Sequence, residues 1–149
     1  MEFKKILVPL DGSEFSLGAL KPARTLACSL GAEIRLVTVE ELPDQPAPSD
    51  WELTLGTFLD NKREESERYL NESAETLRRH GLNPSFSVLP LGPPAARILE
   101  EALHWKADLI VVCSHGRNGL ARWVMGSTAE RISRKAPCPV MIVHPQSED

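Results

Sequence analysis

The residues of this chain whose types and spacing suit chemistry lie between Cys113 and Thr128. Gly116 directly follows an apolar run, and after nine intervening residues come Gly126 and Ser127, where a helical pattern begins. Glycine lets a backbone approach a ligand closely and take positive φ. A helix N-terminus presents unpaired N–H groups and a partial positive charge to an anion. Together these features describe a cradle for phosphate. Ser127 and Thr128 would add hydroxyl donors, and Arg117 or Arg122 would add charge. The same residues also have plain structural readings. Ser127-Thr128-Ala129-Glu130 is a capping box, in which Ser127 and Glu130 satisfy the helix's own N–H groups. Glycines after strands often only make turns, and loop arginines are commonly solvated. Trp123-Val124-Met125 reads as an apolar plug that pins the loop to the body. On spacing alone, the cradle and the turn-and-cap readings stand level.

Other residues carry weaker signals. Asp11 follows the first strand-like run and precedes a helix, so a helix cap or turn competes with ligand contact. His115 reads as a loop hydrogen-bonder, because no carboxylate partner can be assigned to make it a base. Cys28 and Cys138 read as small core residues. His80, His104 and His144 show no ligand spacing. The P-loop pattern, the dinucleotide fingerprint and the nucleophile elbow are all missing from the sequence. Three cysteines without metal-ligand spacing build neither a disulfide framework nor a zinc site. Reduced thiols in a cytoplasmic protein are the expectation.

The elements that would position these residues alternate along the chain. Residues 6–10 form a near-continuous apolar run, as in a strand buried on both faces of a parallel sheet. A helical pattern over 16–30 is closed by Gly31, with Pro22 marking either a late start or a kink. A strand at 34–39 precedes a proline-rich loop at 43–50. A long charged helix is expected over 54–80, burying Leu55, Phe58, Leu59, Tyr69, Leu70, Ala74 and Leu77. The more polar strand at 85–89 suits a sheet edge. Pro93 and Pro94 open a helix running to Trp105. A strand at 108–113, a helix at 127–135 and a strand at 139–143 complete the pattern. Such alternation predicts one α/β domain over residues 1–149, a doubly wound parallel sheet with helices on both faces. Ligands of these sheets bind at the carboxyl ends of the strands, where strand order reverses. With the first strand central, Pro9 to Ser13 would there face Cys113 to Gly116.

Charge narrows the ligand class. The net charge of −4 argues against a general nucleic-acid binder. Residues 113–135 nevertheless hold five bases and one acid, a short basic stretch suited to a small anion. Residues 40–75 carry eleven acids against three bases and read as a solvated helix face. No apolar run approaches the roughly 20 residues that span a bilayer.

Over nearly its full length the chain resembles the universal stress protein family. Lys5-Ile-Leu-Val-Pro-Leu-Asp-Gly-Ser13 is similar to that family's first strand and turn. Asp108-Leu-Ile-Val-Val-Cys-Ser-His-Gly-Arg-Asn-Gly119 is similar to its fourth strand and loop, and Ala136-Pro-Cys-Pro-Val-Met-Ile-Val143 to its last strand. The family's ATP-binding branch carries G-x2-G-x9-G-[ST], which reads here Cys113-x2-Gly116-x9-Gly126-Ser127. The resemblance implies strand order 3-2-1-4-5 and ATP, or ADP or AMP, lying across strands 1 and 4, with Mg2+ accompanying the nucleotide. It implies that Asp11 and Val39 meet the base and ribose, and that Gly116, Gly126, Ser127 and Thr128 hold the phosphates. Pro9, Cys113, His115 and Arg117 complete the implied contacts. A homodimer through Val140–Val143 is implied as well. Cys113 departs from the pattern, standing where the ATP-binding branch has its first glycine. A side chain turned into the sheet would change little there, and one turned toward the ligand would weaken binding or shift nucleotide preference. Three functions follow: a nucleotide-binding regulator, a nucleotide-free dimeric scaffold, and a slow ATPase or self-phosphorylating enzyme with Ser114, Ser127 or Thr128 as acceptor. The last lacks an identifiable general base.

Overall fold

Apolar residues follow one another along the central strands because both faces of the sheet are covered. The computed structural model describes residues 1–41, 51–114 and 125–144, with only the backbone of 51–55. Its elements are β1 (Lys5–Pro9), a 3-10 turn (Ser16–Ala19) leading into α1 (Leu20–Leu30), β2 (Glu33–Val39), α2 (Trp51–Arg78), β3 (Ser85–Leu89), α3 (Pro94–Trp105), β4 (Leu109–Cys113), α4 (Ser127–Lys135) and β5 (Val140–Val143). The sheet is parallel throughout, in the order β3-β2-β1-β4-β5. This is the order that the resemblance implied.

Alternation along each strand divides the core between two layers. Ile6, Val8, Ile34, Leu36, Leu109, Val111 and Cys113 pack with Ala23 and Ala27 of α1 and with Leu70, Ala74 and Leu77 of α2. Leu7, Val37, Ile110 and Val112 face the other way, onto Ile98 and Ala102 of α3 and Ala129 and Ile132 of α4.

Three local expectations are settled by this arrangement. Pro22 is the third residue of α1, inside the first turn, where backbone N–H groups lack helical partners anyway. Proline therefore marks a late start, after the 3-10 turn, and not a kink. β3 lies at the sheet edge, as its polarity suggested. α2 buries its stripe only from Tyr69 onward; Phe58 and Leu59 are half-buried and their neighbours exposed. Leu55 and the loop at 43–50 lie outside the described side chains and residues.

The amino ends of the strands are stitched to α3. Trp105, 8 % exposed, lies between two cations, with Arg35 Cζ at 4.8 Å and Lys5 Nζ at 5.3 Å from ring centroids. Arg35 also donates to Glu101 Oε1 at 2.7 Å and to Ser85 Oγ at 3.0 Å. Asp108 Oδ2 accepts the backbone N–H groups of Lys4 and Lys5, each at 2.9 Å. One aromatic ring thus joins β1, β2 and α3. Trp105→Ala is expected to cost about 3–5 kcal/mol of folding stability, read as a lower urea midpoint in equilibrium unfolding.

Candidate functional site

The crevice begins with a missing hydrogen. Leu10 N–H donates to the Val37 carbonyl of β2 at 2.8 Å, and the Lys5 carbonyl accepts the Asp108 N–H, next to β4, at 2.8 Å. Amide direction alternates along a strand, so the odd-numbered residues of β1 turn toward β4. Pro9 is one of these and has no N–H to give. Pairing of β1 with β4 ends at Leu7 and Ile110, while β1–β2 pairing continues to Pro9 and Val37, and β4–β5 pairing to Cys113 and Val143. The two central strands therefore part at their carboxyl ends, where the strand order reverses.

On the β1 side of this opening, a closed set of hydrogen bonds shapes the loop. Asp11 Oδ1 accepts both the N–H (2.9 Å) and the hydroxyl of Ser13. This is an Asx-type turn, so the turn reading of Asp11 holds. Gly12 takes φ +87, a conformation that a side chain would disfavour. Ser16 N–H donates to Ser13 Oγ at 3.2 Å, and Ser16 Oγ bonds the Ser13 carbonyl at 3.0 Å. Asp11 is half-buried, as is Val39 at the end of β2. Pro9 is buried beneath them.

On the β4 side, Ser114 ties three elements together. Its N–H donates to the Val143 carbonyl at 2.8 Å, and its carbonyl accepts the Gly126 N–H at 2.7 Å. Gly126 is the N-cap of α4, and no side chain among the described residues caps that helix. The expected capping box is therefore not formed. Ser127 sits one position inside the helix, the Gly126 N–H is already taken by Ser114, and Glu130 pairs with Arg134 at 2.7 Å instead. The first N–H groups of α4 are left without helical acceptors. Ser127 is exposed and Thr128 half-buried beside them. The Ser114 hydroxyl, on a residue 1 % exposed, has no hydrogen-bond partner among the described residues. A buried hydroxyl in that condition costs free energy unless something completes it.

Cys113, 5 % exposed, belongs to the α1-side core. A Cβ placed on Gly18 would lie 3.9 Å from its Sγ. Its φ is not positive, since Lys106 is the one non-glycine residue with positive φ among those described. Of the two orientations open in the sequence, the thiol takes the one into the core. Pro9, Asp11 and Val39 are thus brought to one end of the sheet with Cys113, Gly126, Ser127 and Thr128. His115, Gly116, Arg117, Arg122, Trp123 and Val124 lie outside the described residues. The sequence places Ser13 in this region but not Ser16 or Tyr69. The spacing Asp11-x-Ser13-x-x-Ser16 held the signal, since short polar side chains at those intervals fold back on their own backbone.

A parallel sheet in the order 3-2-1-4-5 that opens above its central pair defines a class: doubly wound α/β proteins that take ligands at their strands' carboxyl ends. Residues 2–144 match the model of the universal stress protein family, and the chain belongs to that family. It is 38 % identical over 144 residues to universal stress protein MJ0531 of Methanocaldococcus jannaschii, covering 95 % of this chain and 82 % of that protein. The solved structure of universal stress protein UspA from Lactobacillus plantarum superposes with a TM-score of 0.82 at 23 % identity, covering 97 % and 99 % of the two chains. Three further structures share the fold and contain an adenine nucleotide. They are a universal stress protein with cAMP (TM-score 0.71, 23 % identity, 98 % and 100 % covered), one from Archaeoglobus fulgidus with dAMP (0.62, 21 %, 95 % and 98 %) and one from Arabidopsis thaliana with AMP (0.66, 17 %, 97 % and 93 %).

The three thiols differ in environment. Cys28 is exposed, not a core residue as expected, because it lies on the outer side of α1. Cys138 is half-buried against the α4-side core. Burial, and secondarily the Asp108 carboxylate, push its thiol pKa above the usual cysteine value. A raised pKa means less thiolate at a given pH, and thiolate is the reactive form. Iodoacetamide at about pH 8 is expected to label Cys28 first, Cys138 more slowly and Cys113 only on unfolding. Mass mapping of a time course reads the order, and early labelling of Cys113 would contradict its placement.

Proposed function

We propose that this protein is a regulatory module that binds an adenine nucleotide, ATP in the first instance, across the parted ends of β1 and β4. The observation that carries this reading is the uncapped N-terminus of α4 at Gly126, beside the buried, unpartnered hydroxyl of Ser114. Backbone N–H groups and a helix dipole there suit a phosphate. Solved proteins of this fold hold cAMP, dAMP or AMP, which supports the adenine nucleotide as the ligand class.

The roles divide along the crevice. Asp11 and Val39 take the ribose and base, with Pro9 beneath. Gly126, Ser127 and Thr128 take the phosphates, and the motif assigns Gly116, His115 and Arg117 to the same end. Cys113 contributes backbone, its thiol being turned away into the core. Among the described residues no group of three His, Cys, Asp or Glu side chains is arranged to hold a metal. A magnesium ion is therefore assigned to the nucleotide's own phosphates and water. The chain acts as one domain whose nucleotide state alters what it binds, and it pairs with a second copy through β5. That strand ends the sheet, and its Met141 is 37 % exposed. An apolar sheet edge is a ready template for pairing.

Calorimetric titration with AMP and ATP is expected to give saturable binding at one site per chain. No binding of either at millimolar concentration would overturn the proposal. Cys113→Gly is expected to leave nucleotide affinity within about twofold while costing about 1–2 kcal/mol of stability, through lost burial and a glycine in a strand. Tenfold tighter binding in this variant would mean that the thiol obstructs the ligand. Met141→Lys, which sets like charges at the shared edge, is expected to yield monomers in sedimentation. A dimer of unchanged strength would place the interface elsewhere.

A further inference from the structure

Helix α2 reaches the candidate site through the hydroxyl of Tyr69. Tyr69 OH lies 3.3 Å from Ser16 Oγ and 3.5 Å from the Ser13 carbonyl. Ser16 is 5 % exposed, so water does not readily substitute for its partners. Its oxygen has one proton to give and two lone pairs to fill. Asp11 N–H occupies one lone pair, at 3.3 Å. The Ser16 proton goes to the Ser13 carbonyl, at 3.0 Å. What remains is a lone pair directed at Tyr69, whose one proton is shared between Ser16 Oγ and the Ser13 carbonyl. The Ser16 hydroxyl is thereby saturated, and three of its neighbours are held at once: the Asp11 backbone, the Ser13 backbone and α2.

The consequence falls on Asp11. Its backbone N–H is held by Ser16 Oγ, and its carboxylate is turned by Ser13, whose Oγ is in turn bonded by the Ser16 N–H. Backbone and side chain of Asp11 are thus both set by the Ser13–Ser16 pair. That pair is joined to the body of the protein through Tyr69, which sits one residue before the fully buried Leu70. The tyrosine hydroxyl gives the loop a directional link to α2, which apolar packing does not supply.

Given the nucleotide site proposed above, on which this inference rests, we infer that Ser16 and Tyr69 are positioning residues for ribose recognition. They fix the Asp11 carboxylate so that it meets the ribose hydroxyls of the bound nucleotide, while themselves touching no ligand. The bonds to Tyr69 are long for O–H···O contacts. Tyr69→Phe is therefore expected to weaken AMP binding by about threefold, and Ser16→Ala, which strips three partners at once, by about tenfold.

The decisive readout is the preference for AMP over 2′,3′-dideoxy-AMP, measured by calorimetry. A general loosening of the fold would weaken both ligands alike and leave their ratio untouched. Loss of positioning weakens AMP selectively, so the ratio is expected to shrink in Tyr69→Phe and Ser16→Ala toward that of Asp11→Asn. In an Asp11→Asn background, Tyr69→Phe is expected to change AMP affinity no further. Tyr69→Phe removes one oxygen, and a thermal unfolding curve close to that of the unaltered protein would show that the fold is intact. If the unaltered protein binds AMP and the ratio is the same in both variants, the positioning role is overturned and the nucleotide site stands. If the unaltered protein binds no nucleotide, both are overturned.

Discussion

A parallel ladder needs an N–H from every residue that faces a neighbour, and β1 runs out of them at Pro9. The residue is buried and part of the central strand, a place where proline is ordinarily costly. Here its missing hydrogen is turned toward β4, where pairing stops two residues earlier. Everything that makes the carboxyl end of the sheet useful depends on that parting. The chain passes from β1 to α1 on one face of the sheet and from β4 to α4 on the other. One loop folds on Asp11 and the serines that follow it. On the other side, Ser114 binds β5 and the N-cap of α4 together.

The fold was largely legible because its cause is periodic. Where both faces of a strand are covered, apolar residues run on without a break, as from Ile6 to Val8 and from Leu109 to Val112. Helices read equally well where one face meets the sheet, as in α1 and α3. The long helix was read as buried along its whole length, yet only the part from Tyr69 onward lies on the sheet. Apolar residues such as Phe58 and Leu59 keep helical spacing whether or not anything is there to cover them. Spacing reports which face would be buried, not how far the neighbouring layer extends.

The site was legible at coarser grain. Asp11 and the Gly126–Ser127 pair stand at the ends that the alternation pointed to. The capping reading of Ser127 failed by one residue, since Gly126 takes the cap position and Ser114 takes its N–H. Helix boundaries depend on such long-range bonds, and a linear pattern does not contain them. Cys113 replaces a glycine, and the sequence leaves open whether its side chain turns into the sheet or toward a ligand. The direction of a strand side chain is fixed by register, and the register turns this one toward Gly18 and the core. Tyr69 was visible only as an apolar stripe position. Its hydroxyl acquires a role because the 3-10 turn brings Ser16 beneath it, a meeting of residues far apart in the chain.

The Trp105 cluster lies at the amino ends of the strands, and the crevice at the carboxyl ends. Between them stands the length of the buried strands β1 and β4. Arg35, Lys5 and Glu101 therefore stand a strand's length away from Asp11, Val39 and Ser114. Conversely, the loop above Pro9 can drift in composition with little effect on the clamp below. Durability and recognition are written into opposite poles of one scaffold, so each is free to vary while the other is held constant.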